Sequence, residues 1–142
     1  MYNWFECTVK YGKTSEEGKI KKVTEKHLVD ALSFTEAEER IIKEITPFVS
    51  GEFKVSGIVP KNYNEIFYNE NADKWFKAKV NFIVLDENKG VEKKTPVFML
   101  IQATDLKEAR EGLEKGMKGT MADYEIHTVS ETKIINVFKY EN

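Results

Sequence analysis

The chain has 142 residues, of which 41% are hydrophobic and 32% charged, a balance that suits a folded globular protein and excludes a disordered one. With 22 basic and 24 acidic residues the net charge is −2, which excludes a basic domain that holds nucleic acid by bulk charge, though not a local basic patch. The longest apolar runs, Phe82–Leu85 and Val97–Ile101, fall far short of the roughly 20 residues a membrane helix needs.

The N-terminal Met1-Tyr2-Asn3-Trp4 lacks the basic and apolar regions of a signal peptide, so a cytoplasmic product is expected. Phe5, Cys7, Val9 and Tyr11 then alternate with Trp4, Glu6, Thr8 and Lys10, the period of a strand with one buried face. Cys7 reads as a small core hydrophobe. As the only cysteine it excludes an internal disulfide and a cysteine zinc centre. A polar connection from Gly12 to Gly18 leads to a second strand ending at Leu28-Val29-Asp30-Ala31.

Ser33 with Glu36 three residues on forms a capping box, so a helix starts there. Phe34, Ala37, Ile41 and Ile45 make its buried stripe, and Pro47 ends it. A third strand spans Phe53–Val59. An apolar tail of Tyr63, Ile66 and Phe67 follows, either an extension of that strand or a short helix.

The same series recurs 71 or 72 residues later. Trp4-Phe5 falls on Trp75-Phe76, Val9 on Val80, Gly18 on Gly90, Leu28 on Leu100 and Ala31 on Ala103. Asp105 with Glu108 repeats the capping box, and Leu106, Ala109, Leu113 and Met117 repeat the stripe. The third strand recurs over Tyr124–Val129 and the tail at Ile134, Val137 and Phe138. Repetition of this extent implies tandem duplication. The expected fold is α+β: two β-β-α-β units, residues 1–71 and 72–142, in one compact domain. Their sheets are mainly antiparallel, each is covered by one helix, and the units are related by a pseudo-two-fold. The strand Val97–Ile101 is apolar throughout and suits a central position covered on both faces.

Chemistry-bearing patterns are sparse. His27 and His127 sit in different strands and repeats with no metal-ligand spacing, so each reads as a satisfied or exposed strand histidine, and neither a metal nor a cofactor is expected. The helix carboxylates read as solvated faces with pairs such as Glu39–Lys43 and Glu111–Lys115. Phosphate-loop and nucleophile-elbow motifs are missing, and Lys115–Thr120 lies at a helix end, where the dipole disfavours anions. No catalytic residue is assigned.

The candidate surface is the sheet face opposite the helices. Trp4 and Trp75 share it with Lys10, Lys77 and Lys79, and Lys21, Lys22, Lys93 and Lys94 form a basic rim. Rings interleaved with lysine suit stacked bases of a single strand or a protein interface. The same tryptophans can instead plug the seam between the two copies.

The blocks Trp4-Phe5-x-Cys7-x-Val9, Leu28–Glu38 and Gly116–Ile126 resemble an uncharacterised family of small proteins from gut bacteria and their phages, domain of unknown function 4494. The resemblance covers nearly the whole chain. It implies a phage or mobile-element gene, a product in the host cytosol and an accessory role, and it carries no site residue. Together these features lead to the expectation of a non-enzymatic binding or adaptor protein that meets a protein partner or itself. The alternative is a single-stranded nucleic-acid binder using Trp4, Trp75, Lys10, Lys77 and Lys79.

Overall fold

The computed structural model describes residues 3–140. The first repeat supplies β1 (Asn3–Thr14), β2 (Ile20–Ala31), α1 (Phe34–Ile45), β3 (Phe53–Lys61) and β4 (Glu65–Phe67). The second supplies β5 (Lys74–Asp86), β6 (Val91–Ala103), α2 (Leu106–Gly116), β7 (Asp123–Glu131) and β8 (Ile134–Phe138). A 3₁₀ turn over Thr46–Phe48 carries Pro47 and follows α1. No helix among the described residues is long and apolar enough to cross a membrane.

The fold is α+β, with two four-stranded, mainly antiparallel sheets and two helices. One sheet runs β3-β1-β2-β8 and the other β7-β5-β6-β4. In each, a long hairpin forms the centre, the third strand pairs antiparallel on one side, and a tail strand pairs parallel on the other. The tails, left open between strand and helix by the sequence, are thus short parallel edge strands. Each joins the sheet of the other repeat: β4 lies along β6, and β8 along β2.

The compact units therefore differ from the sequence repeats. One runs to Asn62 and resumes at Lys133; the other is Tyr63–Thr132. A three-residue strand such as β4 has no local pattern to announce its partner, which lies more than thirty residues away in β6. The two sheets carry corresponding strands in the same spatial order, which is consistent with duplication.

The irregularities match as well. The β1–β3 ladder shifts register between Thr8 and Val9, and the β5–β7 ladder between Lys79 and Val80. These are equivalent positions, leaving Ser56 and His127 as the extra residues of two β-bulges. Gly18 and Gly90 turn the hairpins at φ 79° and 64°, a region that other L-residues rarely enter.

In the first unit Phe5, Cys7, Val9, Val29 and Ala31 pack against Ala37, Ile41 and Ile45 of α1. In the second, Phe76, Ala78, Val80, Met99, Ile101 and Ala103 pack against Ala109, Leu113 and Met117. The alternation read from sequence therefore sets the core. Two of the expected stripe residues differ: Phe34 and Leu106 are 54% and 53% exposed. Each is the first residue of its helix. The Phe34 ring still meets Phe5 edge-on at 5.1 Å. The N-cap half of each capping box forms, with Ser33 Oγ and Asp105 Oδ1 accepting from the N–H groups of Glu36 and Glu108, while the Glu108 carboxylate turns to Thr104. The central position expected of Val97–Ile101 holds, since β6 lies between β4 and β5.

Candidate functional site

The residues singled out from sequence separate by unit and by face. In the first unit, alternation puts Trp4, Glu6, Thr8 and Lys10 on the face away from α1. Ladder partners add Lys61 beside Trp4, Lys54 beside Lys10, Lys26 beside Thr8 and Lys22 beside Gly12. Glu6 is bracketed by the ammonium groups of Lys61 (3.4 Å) and Lys26 (3.6 Å). Lys10, Lys22 and Lys54 are exposed, and Trp4 is half-buried. Lys21 pairs with Lys13 on the opposite face.

The sequence left Trp75 either on an exposed surface or buried in a seam, and in the second unit the ring is buried. It is only 3% exposed, and Tyr68 packs edge-on against it at 5.7 Å. Period-two alternation tells which face a residue takes, not whether that face is covered. Lys77 and Lys79 are half-buried, and the Lys77 ammonium sits 4.6 Å from the centre of the Phe98 ring. Lys93 and Lys94 are exposed on the hairpin. Lys94 is held by Glu125 at 2.9 Å, a hydrogen bond that raises the lysine pKa and lowers that of the carboxylate, with Asn81 adding to the second effect.

Two places where the repeats diverge chemically were not singled out from sequence. The first is a polar cluster in the first unit. Tyr11 Oη donates to Glu25 Oε2 (3.0 Å), and Asn136 Nδ2 donates to His27 Nδ1 (3.3 Å). The His27 Nε2 proton is thereby directed at Glu25 Oε1, 3.4 Å away, and the ring stacks on Phe138 at 5.8 Å. His27 is buried, the satisfied strand histidine expected. Burial lowers its pKa, and the hydrogen bond and charge of Glu25 oppose that shift. The equivalent positions in the second unit hold Phe82, Val97, Met99 and Glu65.

The second is a cleft of about 830 Å³ in the second unit, between α2 and the tail strand β4. Ile66, Phe67 and Ile101 give it an apolar floor, and Gly112 and Gly116 open its helix wall. A Cβ on Gly116 would meet Phe67 at 2.4 Å, and one on Gly112 would meet Ile101 at 3.2 Å, so the glycines let helix and sheet approach. Asn69, Gln102, Glu108, Glu111 and Lys115 form the polar rim. Gln102 accepts from the Asn69 N–H (2.9 Å) and donates to the Ala72 carbonyl (2.9 Å). Glu108 accepts from Asn69 Nδ2 (3.0 Å) and from the Thr104 N–H and hydroxyl.

In the first unit the equivalent place is filled. Arg40 and Glu44 stand where the second unit has Gly112 and Gly116. The Arg40 guanidinium bonds the main-chain and side-chain oxygens of Asp30, reaches Glu44 at 3.8 Å and lies 5.4 Å from the centre of the Tyr140 ring. The repeat alignment held this signal, an Arg/Glu pair one helical turn apart set against a Gly/Gly pair.

Among the described residues no group of three or more His, Cys, Asp or Glu side chains is placed to hold a metal ion. No curated protein and no solved structure matches this chain. The family model for the domain of unknown function DUF4494 matches residues 3–140, and the chain belongs to that family.

Proposed function

We propose that this is a non-enzymatic binding or adaptor protein that engages a protein partner through the α2 cleft of its second unit. The observation that carries this reading is the contrast between the two equivalent clefts: Arg40 closes one from within, and Gly112 leaves the other open over an apolar floor. A concave apolar floor with a few convergent polar groups is the usual build of a binding site. The side-chain amide of Gln102 and the carboxylate of Glu108 are already committed to internal hydrogen bonds that fix the walls, which suits recognition better than proton transfer. The phage or mobile-element setting and the cytosolic location belong to this proposal and draw on the family resemblance.

The test is an amide NMR titration of the full chain with three pools of short peptides, acidic, basic and neutral. Saturable shifts centred on Gly112, Gly116 and Ile101 with at least one pool are expected. Uniform or absent shifts with all three pools would end the reading.

A second reading has its own observation. Exposed Lys10, Lys22 and Lys54 share one sheet face of the first unit with Lys26 and Lys61, against the carboxylates of Glu6 and Asp30. Such a face suits the backbone of a single-stranded nucleic acid, with Trp4 as the ring left to report contact. Titration with a single-stranded oligonucleotide at low salt would then quench fluorescence saturably, and the effect would weaken steeply with added salt. An unresponsive Trp4 at low salt would remove this reading.

A further inference from the structure

We propose that the edge of β2 in the first unit is a strand-acceptor site that takes β8 of a second copy of this chain in place of its own, independently of the α2 cleft. The chain completes its two units differently. The second is contiguous over Tyr63–Thr132, whereas the first stops at Asn62 and resumes at Lys133. β8 therefore reaches its sheet from the end of β7, in the other unit, through the two residues between Glu131 and Ile134. The chain is anchored in the second unit up to that crossing, where the Thr132 N–H and hydroxyl both donate to the Trp75 carbonyl at 2.9 Å.

The seat fits this one segment. β8 runs parallel to β2, with Ile134, Asn136, Val137 and Phe138 against Lys26, His27, Leu28 and Val29. Asn136 Nδ2 donates to His27 Nδ1 (3.3 Å), the Phe138 ring stacks on that imidazole at 5.8 Å, and the Tyr140 N–H donates to Asp30 Oδ1 (2.6 Å). Ile134 is buried, and Phe138 packs on the core that holds Val29 and Ile41. No turn joins guest to host, since His27 and Asn136 lie 109 residues apart in the chain. The same contacts therefore form whichever copy supplies the strand. Main-chain bonds along an open sheet edge give such a site its affinity, and the side-chain seats give it its specificity. Exchange of an identical element between copies is a low-cost route to a dimer. A short tether holds its end at an effective concentration of about millimolar, so a second copy competes as the protein approaches that range.

The experiment mixes equal parts of isotopically labelled and unlabelled full chain, concentrates the mixture to about 1 mM, isolates the dimer by size exclusion and records isotope-filtered NOEs. A dimer is expected whose fraction grows with concentration, with NOEs between chains from Leu28 to Val137 and from Val29 to Phe138. A chain that stays monomeric over that range, or a dimer whose β2–β8 NOEs all lie within one chain, would overturn the proposal. Asn136→Ala removes the same contact from monomer and dimer, so interconversion should quicken by about fivefold while the monomer–dimer ratio stays unchanged. A shifted ratio at an unchanged rate would mean that the copies meet elsewhere, and would also overturn it. If Asn136→Ala fails to fold, the NOE measurement on the unaltered chain still decides.

Discussion

Cys7 has no exposed surface, and its thiol lies 3.9 Å from the Phe5 carbonyl. Burial, helped by the charge of Glu6, pushes its pKa up to about 12. The nucleophile is the thiolate, so the folded protein should resist alkylation. Treatment with iodoacetamide at pH 8 should modify Cys7 only at the rate of unfolding, with a large acceleration in denaturant; rapid native labelling would contradict its place in the core.

His27 poses the opposite question, because this buried imidazole stands where the other unit has Met99. Burial lowers its pKa from the ordinary 6.5. Above 6.5 both folded and unfolded imidazoles are neutral, and stability is flat with respect to this group. As pH falls below 6.5 the unfolded chain takes up the proton first, so stability drops until the folded pKa is reached, by ~1.4 kcal/mol for each unit of depression. His27→Met, copying Met99, should remove that slope from thermal melts recorded between pH 7 and pH 5. An unchanged slope would assign the acid sensitivity to other groups.

At the scale of elements, the tail strands are held by few bonds and much side-chain contact. β4 offers three ladder residues, and its Phe67 ring fills the space above Gly116. Gly116→Ala puts a methyl group 2.4 Å from that ring, so the α2 cleft wall or β4 must move. We expect destabilisation of about 1–3 kcal/mol by overpacking, measured by urea unfolding; a stabilised variant, as helix propensity alone would give, would show that β4 packs elsewhere.

The sequence made the long elements legible, since the period of β1 and β5 and the capping boxes of α1 and α2 are local signals. It left the tails unresolved, because a parallel strand of three to five residues draws its identity from a distant partner. For Trp75 the sequence left exposure and burial both open, because cover by Tyr68 is a tertiary fact. The cleft was legible only as a contrast between repeats: a lone Gly112 reads as a weak spot in a helix, and gains meaning once Arg40 is set against it.

At the scale of the molecule, two units with matching sheets differ where they carry chemistry. The first unit spends its polar residues internally, on Tyr11–Glu25–His27–Asn136 and on Arg40–Asp30. The second has Phe82, Val97 and Met99, with Glu65 at the edge, at the first of these places and an open cleft at the second. The most direct measurement is calorimetric titration of the three peptide pools into the wild-type chain and into folded Gly112→Arg. Saturable heat with the wild type and none with the variant is the predicted result. Equal heats from both proteins, or none from either, would contradict the claim that the missing arginine makes the site.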